Sequence, residues 1–163
     1  RYGGTCGGLN INNRKEEKIM NSEIAIEEII QVLQHRNPFL LIDRVKEYEY
    51  GKYVIGVKNV SVNEPWATGH FPEHPVYPGA LIIESSAQTG GFLFYDPEET
   101  DRQKGGMLAS VDSFKFVRAV YPGDQLLIKA ELISRFGKFV KVRATATVDG
   151  KRAAEGELTY VIG

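Results

Sequence analysis

Apolar side chains at Ile26, Ile29, Ile30 and Leu33 recur at the spacing of one helical face, which predicts a helix over residues 22–35. Ser22 offers an N-cap, and Asn37-Pro38 marks the end, because proline disfavours helical geometry in the residue before it. Two runs rich in Val, Ile, Tyr and Phe follow, 39–50 and 52–62, separated around Gly51. So short a connection predicts an antiparallel hairpin. Residues 63–79 hold four prolines and two glycines, too many for a continuous helix or strand. A second helix is predicted over 79–95. Its first half is apolar nearly all round (Ala80, Leu81, Ile82, Ile83), the pattern of a buried helix rather than a surface one. Gly90-Gly91 predicts either local weakening or the close approach of another backbone. The polar stretch 96–105 reads as a loop. Strand patterns then occupy about 106–118, 125–135, 138–148 and 152–162, with turns at Pro122-Gly123-Asp124, Phe136-Gly137-Lys138 and Asp149-Gly150-Lys151. The order predicts an α+β domain in which one curved antiparallel sheet covers one apolar helix.

Composition narrows this picture. A chain of 163 residues, 42% hydrophobic and 25% charged, has room for one domain with its own core. No apolar run approaches the roughly 18–20 residues that span a bilayer. The net charge of -1 gives no global attraction to nucleic acid, so an acidic partner needs a local basic patch. The single Cys6 excludes an internal disulfide framework and fits a reducing, cytoplasmic setting. Residues 1–19 are Gly- and Asn-rich without apolar periodicity and read as a disordered leader or tag-like segment, leaving 20–163 as the domain. Lys15-Glu16-Glu17 can be encoded as a purine-rich ribosome-binding sequence ahead of Met20, which makes Met20 a candidate natural start. A native flexible extension is the alternative.

The chemistry concentrates in His70-Phe71-Pro72-Glu73-His74-Pro75-Val76-Tyr77-Pro78-Gly79 and the helix that follows. Glu84 is an acid inside a helix whose neighbours want burial, so it needs donors or a raised pKa. It either lies on a narrow wet stripe, is tied structurally to Gln88 four residues on, or is functional. His70 taken singly is suggestive only; the prolines after it brace a loop, as a general base requires, while His35 and His74 lack that context. Pro78-Gly79 at a helix start exposes unpaired N–H groups, either as a simple helix start or as donors to a developing oxyanion. No metal-ligand cluster, phosphate-cradling loop, dinucleotide fingerprint or nucleophile elbow accompanies them, and nothing calls for a cofactor.

His35-Arg36-Asn37-Pro38-Phe39-Leu40-Leu41-Ile42-Asp43-Arg44, Gly69-His70-Phe71-Pro72, Pro75-Val76, Pro78-Gly79, Leu81-Ile82-Ile83-Glu84 and Ala87-Gln88 closely resemble the bacterial (3R)-hydroxyacyl-[acyl-carrier-protein] dehydratase family, FabZ. Phe114-Lys115-Phe116 and Tyr121-Pro122-Gly123-Asp124-Gln125-Leu126 resemble it too, so the likeness spans about residues 26–160. The resemblance implies a hot-dog fold, an antiparallel sheet wrapped around a long central helix. It also implies a site shared across a dimer, with dimers assembled into hexamers. Carried over, His70 takes the α-proton and Glu84 of the other subunit orients and protonates the departing β-hydroxyl. Gly79 N–H binds the thioester carbonyl, and Gln88 holds Glu84. The product is a trans-2-enoyl thioester on the acyl carrier protein of fatty acid biosynthesis.

Glu73 stands where the family usually has Gly, Tyr77 where it has Met, and Ser85 and Ser86 where it is apolar. These departures leave the catalytic groups intact and put chain-length preference and pathway in question. The competing activities are an isomerising dehydratase, which usually carries Asp where Glu84 stands, and a thioesterase, which would not need the His-Glu pairing. The non-enzymatic alternative is an acyl-binding module of a repressor, for which residues 1–25 lack a basic DNA-binding segment. Lys115, Arg118, Arg135, Lys138 and Lys141 are candidates for a basic patch that docks the acidic carrier, each more simply read as a solvated strand or turn residue.

Overall fold

The computed structural model describes residues 23–95 and 105–163. The expectations for the 1–19 leader, Met20, the Ser22 cap and all but the last residue of the 96–105 loop lie outside the described residues. The elements run α1 (Ile26–Val32), β1 (Arg44–Glu49), β2 (Tyr53–Asn59), a 3-10 turn (Pro65–Thr68), α2 (Gly79–Gly91), a second 3-10 turn (Phe92–Phe94), β3 (Gly106–Phe116), β4 (Gln125–Phe136), β5 (Phe139–Val148) and β6 (Lys151–Ile162). All six strands join one antiparallel sheet in the order β1-β2-β4-β5-β6-β3. This is the hot-dog arrangement, with α2 packed against β2, β3, β4 and β5.

Sequence periodicity overextends α1. The helix stops at Val32 because Leu33 turns extended (φ -90°, ψ 137°), and the Arg36 guanidinium donates to the carbonyls of Leu33 (2.8 Å) and His35 (2.7 Å). Ile29 and Leu33 reach the core, whereas Ile26 and Ile30 stay exposed. The first strand begins five residues later than the 39–50 pattern predicts. Phe39 and Leu40 N–H both bond to Arg36 O, making a turn around Asn37-Pro38. Bulges in β1, β3, β4 and between β5 and β6 add local twist and bend the sheet around the helix.

The helix is buried as expected, but by a route the apolar pattern does not show. Ser85, Ser86, Gln88 and Thr89 are all buried. Ser85 Oγ donates to Leu81 O (2.7 Å), Ser86 Oγ to Ile82 O (2.7 Å) and Thr89 Oγ1 to Ser85 O (2.8 Å), so each hydroxyl is satisfied within the helix. Gly56 lets β2 approach closely, since a Cβ there would collide with the Thr89 side chain. At Gly90 the close neighbour is the Tyr160 side chain and not a backbone, which corrects that part of the expectation. Two apolar clusters flank α2. One gathers Tyr77, Ile82, Val120, Leu126 and Ile128 at its N-terminal half. The other gathers Ile29, Ala87, Phe92, Leu158 and Tyr160 at its C-terminal half. No helix among the described residues is long and apolar enough to cross a membrane.

Candidate active site

His70 follows the first 3-10 turn, its N–H bonded to Trp66 O (2.8 Å). Phe71 then takes a left-handed backbone conformation (φ 61°), uncommon for a bulky residue, and reverses the chain. His74 N–H closes that reversal on Phe71 O (2.8 Å). The reversal lets His70 Nδ1 meet Val76 O at 2.8 Å. A carbonyl can only accept, so Nδ1 carries the proton and the neutral ring keeps its lone pair on Nε2. That tautomer suits a general base. His70 lines a cavity of about 480 Å³ together with Val76, Tyr77, Gly79, Ile82 and Phe116.

Gly79 opens α2 behind the extended N-cap Pro78, so its N–H is one of the first-turn donors without an intrahelical acceptor. A Cβ at Gly79 would stand 3.0 Å from the Phe116 ring, so glycine is what allows that ring to close over the helix start. Gly79 and His70 share one cavity.

Glu84 is partly buried one and a half turns into the helix. Gln88 Nε2 donates to Glu84 Oε1 (2.9 Å) and to Phe39 O (2.7 Å), while Gln88 Oε1 accepts from Leu41 N–H (2.9 Å). The backbone partners fix which end of the amide faces the acid: Leu41 N–H demands the oxygen, so the nitrogen is turned to Glu84. His35 Nε2 lies 3.4 Å from the same Oε1. Sequence reasoning set His35 aside as a control. The available signal was that the 35–41 segment belongs to the family-like run His35–Arg44, and three of its residues meet Glu84 or Gln88. Tyr77 and Ser85, noted only as departures, also meet, at 2.9 Å between their hydroxyl oxygens.

Gln88 and Glu84 are thus brought together, and His70 and Gly79 are brought together, but the two pairs are not. Glu84, Gln88 and His35 line a different cavity, of about 660 Å³, with Ala87, Leu108 and Tyr160. The expected basic residues do not form one patch either. Arg118 lines the His70 cavity. Arg135 lies level with Val140, Tyr160 and Leu108, at the far end of β3 from Phe116. Lys141 is engaged by Glu157 (2.6 Å), which raises its pKa. Among the described residues no group of three or more His, Cys, Asp or Glu side chains could hold a metal ion.

The FabA-like domain family matches residues 33–157. The 3-hydroxyacyl-[acyl-carrier-protein] dehydratase FabZ of Oceanobacillus iheyensis is 48% identical over 137 residues, covering 84% of this chain and 97% of that protein. This chain belongs to the FabZ family. The FabZ of Streptococcus agalactiae is 49% identical over 140 residues, covering 86% of this chain and 99% of its own length. Among solved structures, the dehydratase heterocomplex ApeI:P from Xenorhabdus doucetiae has a TM-score of 0.67 at 20% identity, over 83% of this chain and 90% of that one. A hypothetical thioesterase with coenzyme A from Streptococcus pneumoniae has a TM-score of 0.54 at 14% identity, over 72% and 86%. These structural likenesses speak for the fold alone. FabZ membership settles the resemblance drawn from the sequence motifs.

Proposed function

We propose that this FabZ-family chain dehydrates (3R)-3-hydroxyacyl thioesters of acyl carrier protein to trans-2-enoyl thioesters in cytoplasmic fatty acid synthesis, at a site that two subunits complete. His70 Nε2 removes the α-proton, and Gly79 N–H takes up the negative charge that develops on the thioester oxygen. Glu84 of the partner subunit, its Oε1 held by Gln88, gives a proton from Oε2 to the β-hydroxyl, which leaves as water. Protons balance because the α-proton taken by His70 and the one given by Glu84 are exchanged back through solvent.

The observation that carries this reading is the separation of the pair within one chain. His70 and Glu84 are each supported, but they line different cavities. The sheet edge supports a second copy. Among the described residues β3 pairs only with β6, exposes most of its length, and presents Met107, Leu108, Val111 and Phe116 to solvent. Long apolar edge strands are normally covered. Trimers of such dimers are the family's usual assembly, and Arg118, at the His70 cavity, is the basic residue best placed to meet an acidic carrier.

Mixing inactive variants tests the composite site. His70→Ala and Glu84→Gln alone should each lose on the order of 1,000-fold in kcat. After subunit exchange, half the dimers are mixed and each mixed dimer holds one intact site, so about a quarter of native activity should return. Proven exchange with no recovery would place the pair within one chain and refute the shared site.

A further inference from the structure

We propose that Tyr77 and Ser85 act as one positioning clamp that holds the Val76 carbonyl, and through it His70, in the geometry of a general base. This rests on the assignment of His70 as base, and adds two residues to it.

Tyr77 is buried to 1% exposure and Ser85 to 0%, and their hydroxyl oxygens are 2.9 Å apart. The direction of that bond follows from proton counting. Ser85 has one hydroxyl proton and gives it to Leu81 O at 2.7 Å, so Ser85 Oγ accepts from the phenol. The chain therefore runs from Tyr77 O–H to Ser85 Oγ and on to the Leu81 carbonyl on α2. Burial pushes the phenol well above its ordinary pKa, against the lowering effect of the Ser85 bond, so the donor stays protonated throughout the working range.

The backbone of Tyr77 is anchored as well, its N–H donating to Val120 O at 2.8 Å. The ring packs edge-on against Trp66 at a 5.4 Å centroid distance. Its backbone, ring and hydroxyl thus each have a fixed partner. The preceding carbonyl, Val76 O, is the one that accepts from His70 Nδ1. A residue locked in this way restricts the peptide group just before it, and that group sets both the tautomer and the direction of the imidazole. Two polar departures from an otherwise apolar pattern are thereby explained together. The buried Tyr77 hydroxyl needs an acceptor, and Ser85, whose own proton goes to Leu81 O, supplies one.

Three variants and one control decide the matter with a 3-hydroxyacyl carrier-protein substrate. Tyr77→Phe removes the donor and keeps the ring. Ser85→Ala leaves a buried phenol with no acceptor, and the double variant removes both hydroxyls so that nothing is stranded. A clamp predicts that kcat falls about tenfold in Tyr77→Phe and in the double variant with KM nearly unchanged, because a small misplacement of the base affects the chemical step. It also predicts that the urea midpoint, lowest in Ser85→Ala, recovers in the double variant while kcat does not. Stability and turnover must therefore separate. If kcat returns to native along with the midpoint, or if Tyr77→Phe and the double variant turn over at the native rate, the clamp is refuted. His70→Ala distinguishes the two levels. An active His70→Ala enzyme would overturn the base assignment and the clamp with it, whereas an inactive one beside native-rate Tyr77 variants would overturn the clamp alone.

Discussion

His70 and Glu84 line different cavities, and the chain secures them by different means. His70 is oriented by a carbonyl six residues further on, inside its own loop. Glu84 is oriented through Gln88, whose remaining bonds reach back 47 and 49 residues to Leu41 and Phe39. The carbonyl that orients His70 lies in its own loop, although that loop is itself anchored through Tyr77 to Val120 O and to Ser85 Oγ. The Glu84 support exists only when the 35–41 segment has docked on the helix. The direct partners of Glu84's support are thus distant in sequence while that of His70 is near, and the two halves should fail differently when their direct supports are removed.

The largest difference should come from Gln88→Leu. It removes the Gln88 donor from Glu84 Oε1, leaving His35 Nε2 at 3.4 Å, and strands the buried Leu41 N–H. Turnover should fall about 100-fold through misplacement of the acid. Stability should fall as well, by about 2 kcal/mol, because Leu41 is buried and its donor loses its acceptor. Urea unfolding beside kcat checks both, and a variant that loses activity at native stability would break the claim that acid geometry and folding are joined.

On the His70 side, Gly79→Ala should instead separate turnover from stability. The new Cβ meets the Phe116 ring at 3.0–3.1 Å, so the ring must move by a few tenths of an ångström. Phe116 is half exposed on the edge strand and can give way. Alanine also favours helix by up to about 1 kcal/mol over glycine, which offsets the crowding. We expect near-native stability with kcat down about tenfold, because the Gly79 N–H, proposed as the oxyanion donor, shifts with the helix start. Adding Phe116→Leu should recover part of the rate. No recovery would mean that the ring is not what the methyl displaces.

The same contrast explains what could be read from the sequence. The strands were legible to within a few residues because alternating burial and Gly-containing turns are local signals, as in β5, where burial alternates almost without interruption. The His70 loop was partly legible because prolines brace it. The support of Glu84 was not, since no local pattern says that Leu41 N–H will meet a side chain 47 residues away. The nearness of His35 to Glu84 is equally non-local. The end of α1 was missed because Leu33 turns extended and its carbonyl is taken by the Arg36 guanidinium, a side-chain detail that hydrophobic periodicity does not carry. The meeting of Tyr77 and Ser85 was also out of reach, although the need of a buried phenol for a partner was foreseeable.

The smallest effect is invisible at neutral pH and compares the two cavities directly. Each is lined by one buried phenol bonded towards α2: Tyr77 to Ser85 Oγ on the His70 side, and Tyr160 to Ala87 O at 2.8 Å on the Glu84 side. Desolvation is the main cause that raises both above the ordinary 10.0, and the Glu84 carboxylate adds to it in each case. In the folded protein these phenols keep protons that the unfolded chain releases. Their contribution to stability is therefore complete below pH 10 and is lost as pH rises above it, at up to about 1.4 kcal/mol per pH unit for each phenol. Urea titrations between about pH 10.5 and 12 should show this slope, and Tyr77→Phe and Tyr160→Phe should each flatten it by the same amount, since neither folded phenol ionises in that window. Unequal flattening would show that one cavity admits water to its phenol and the other does not. The more hydrated side would then be the one whose catalytic group is less well shielded before substrate arrives.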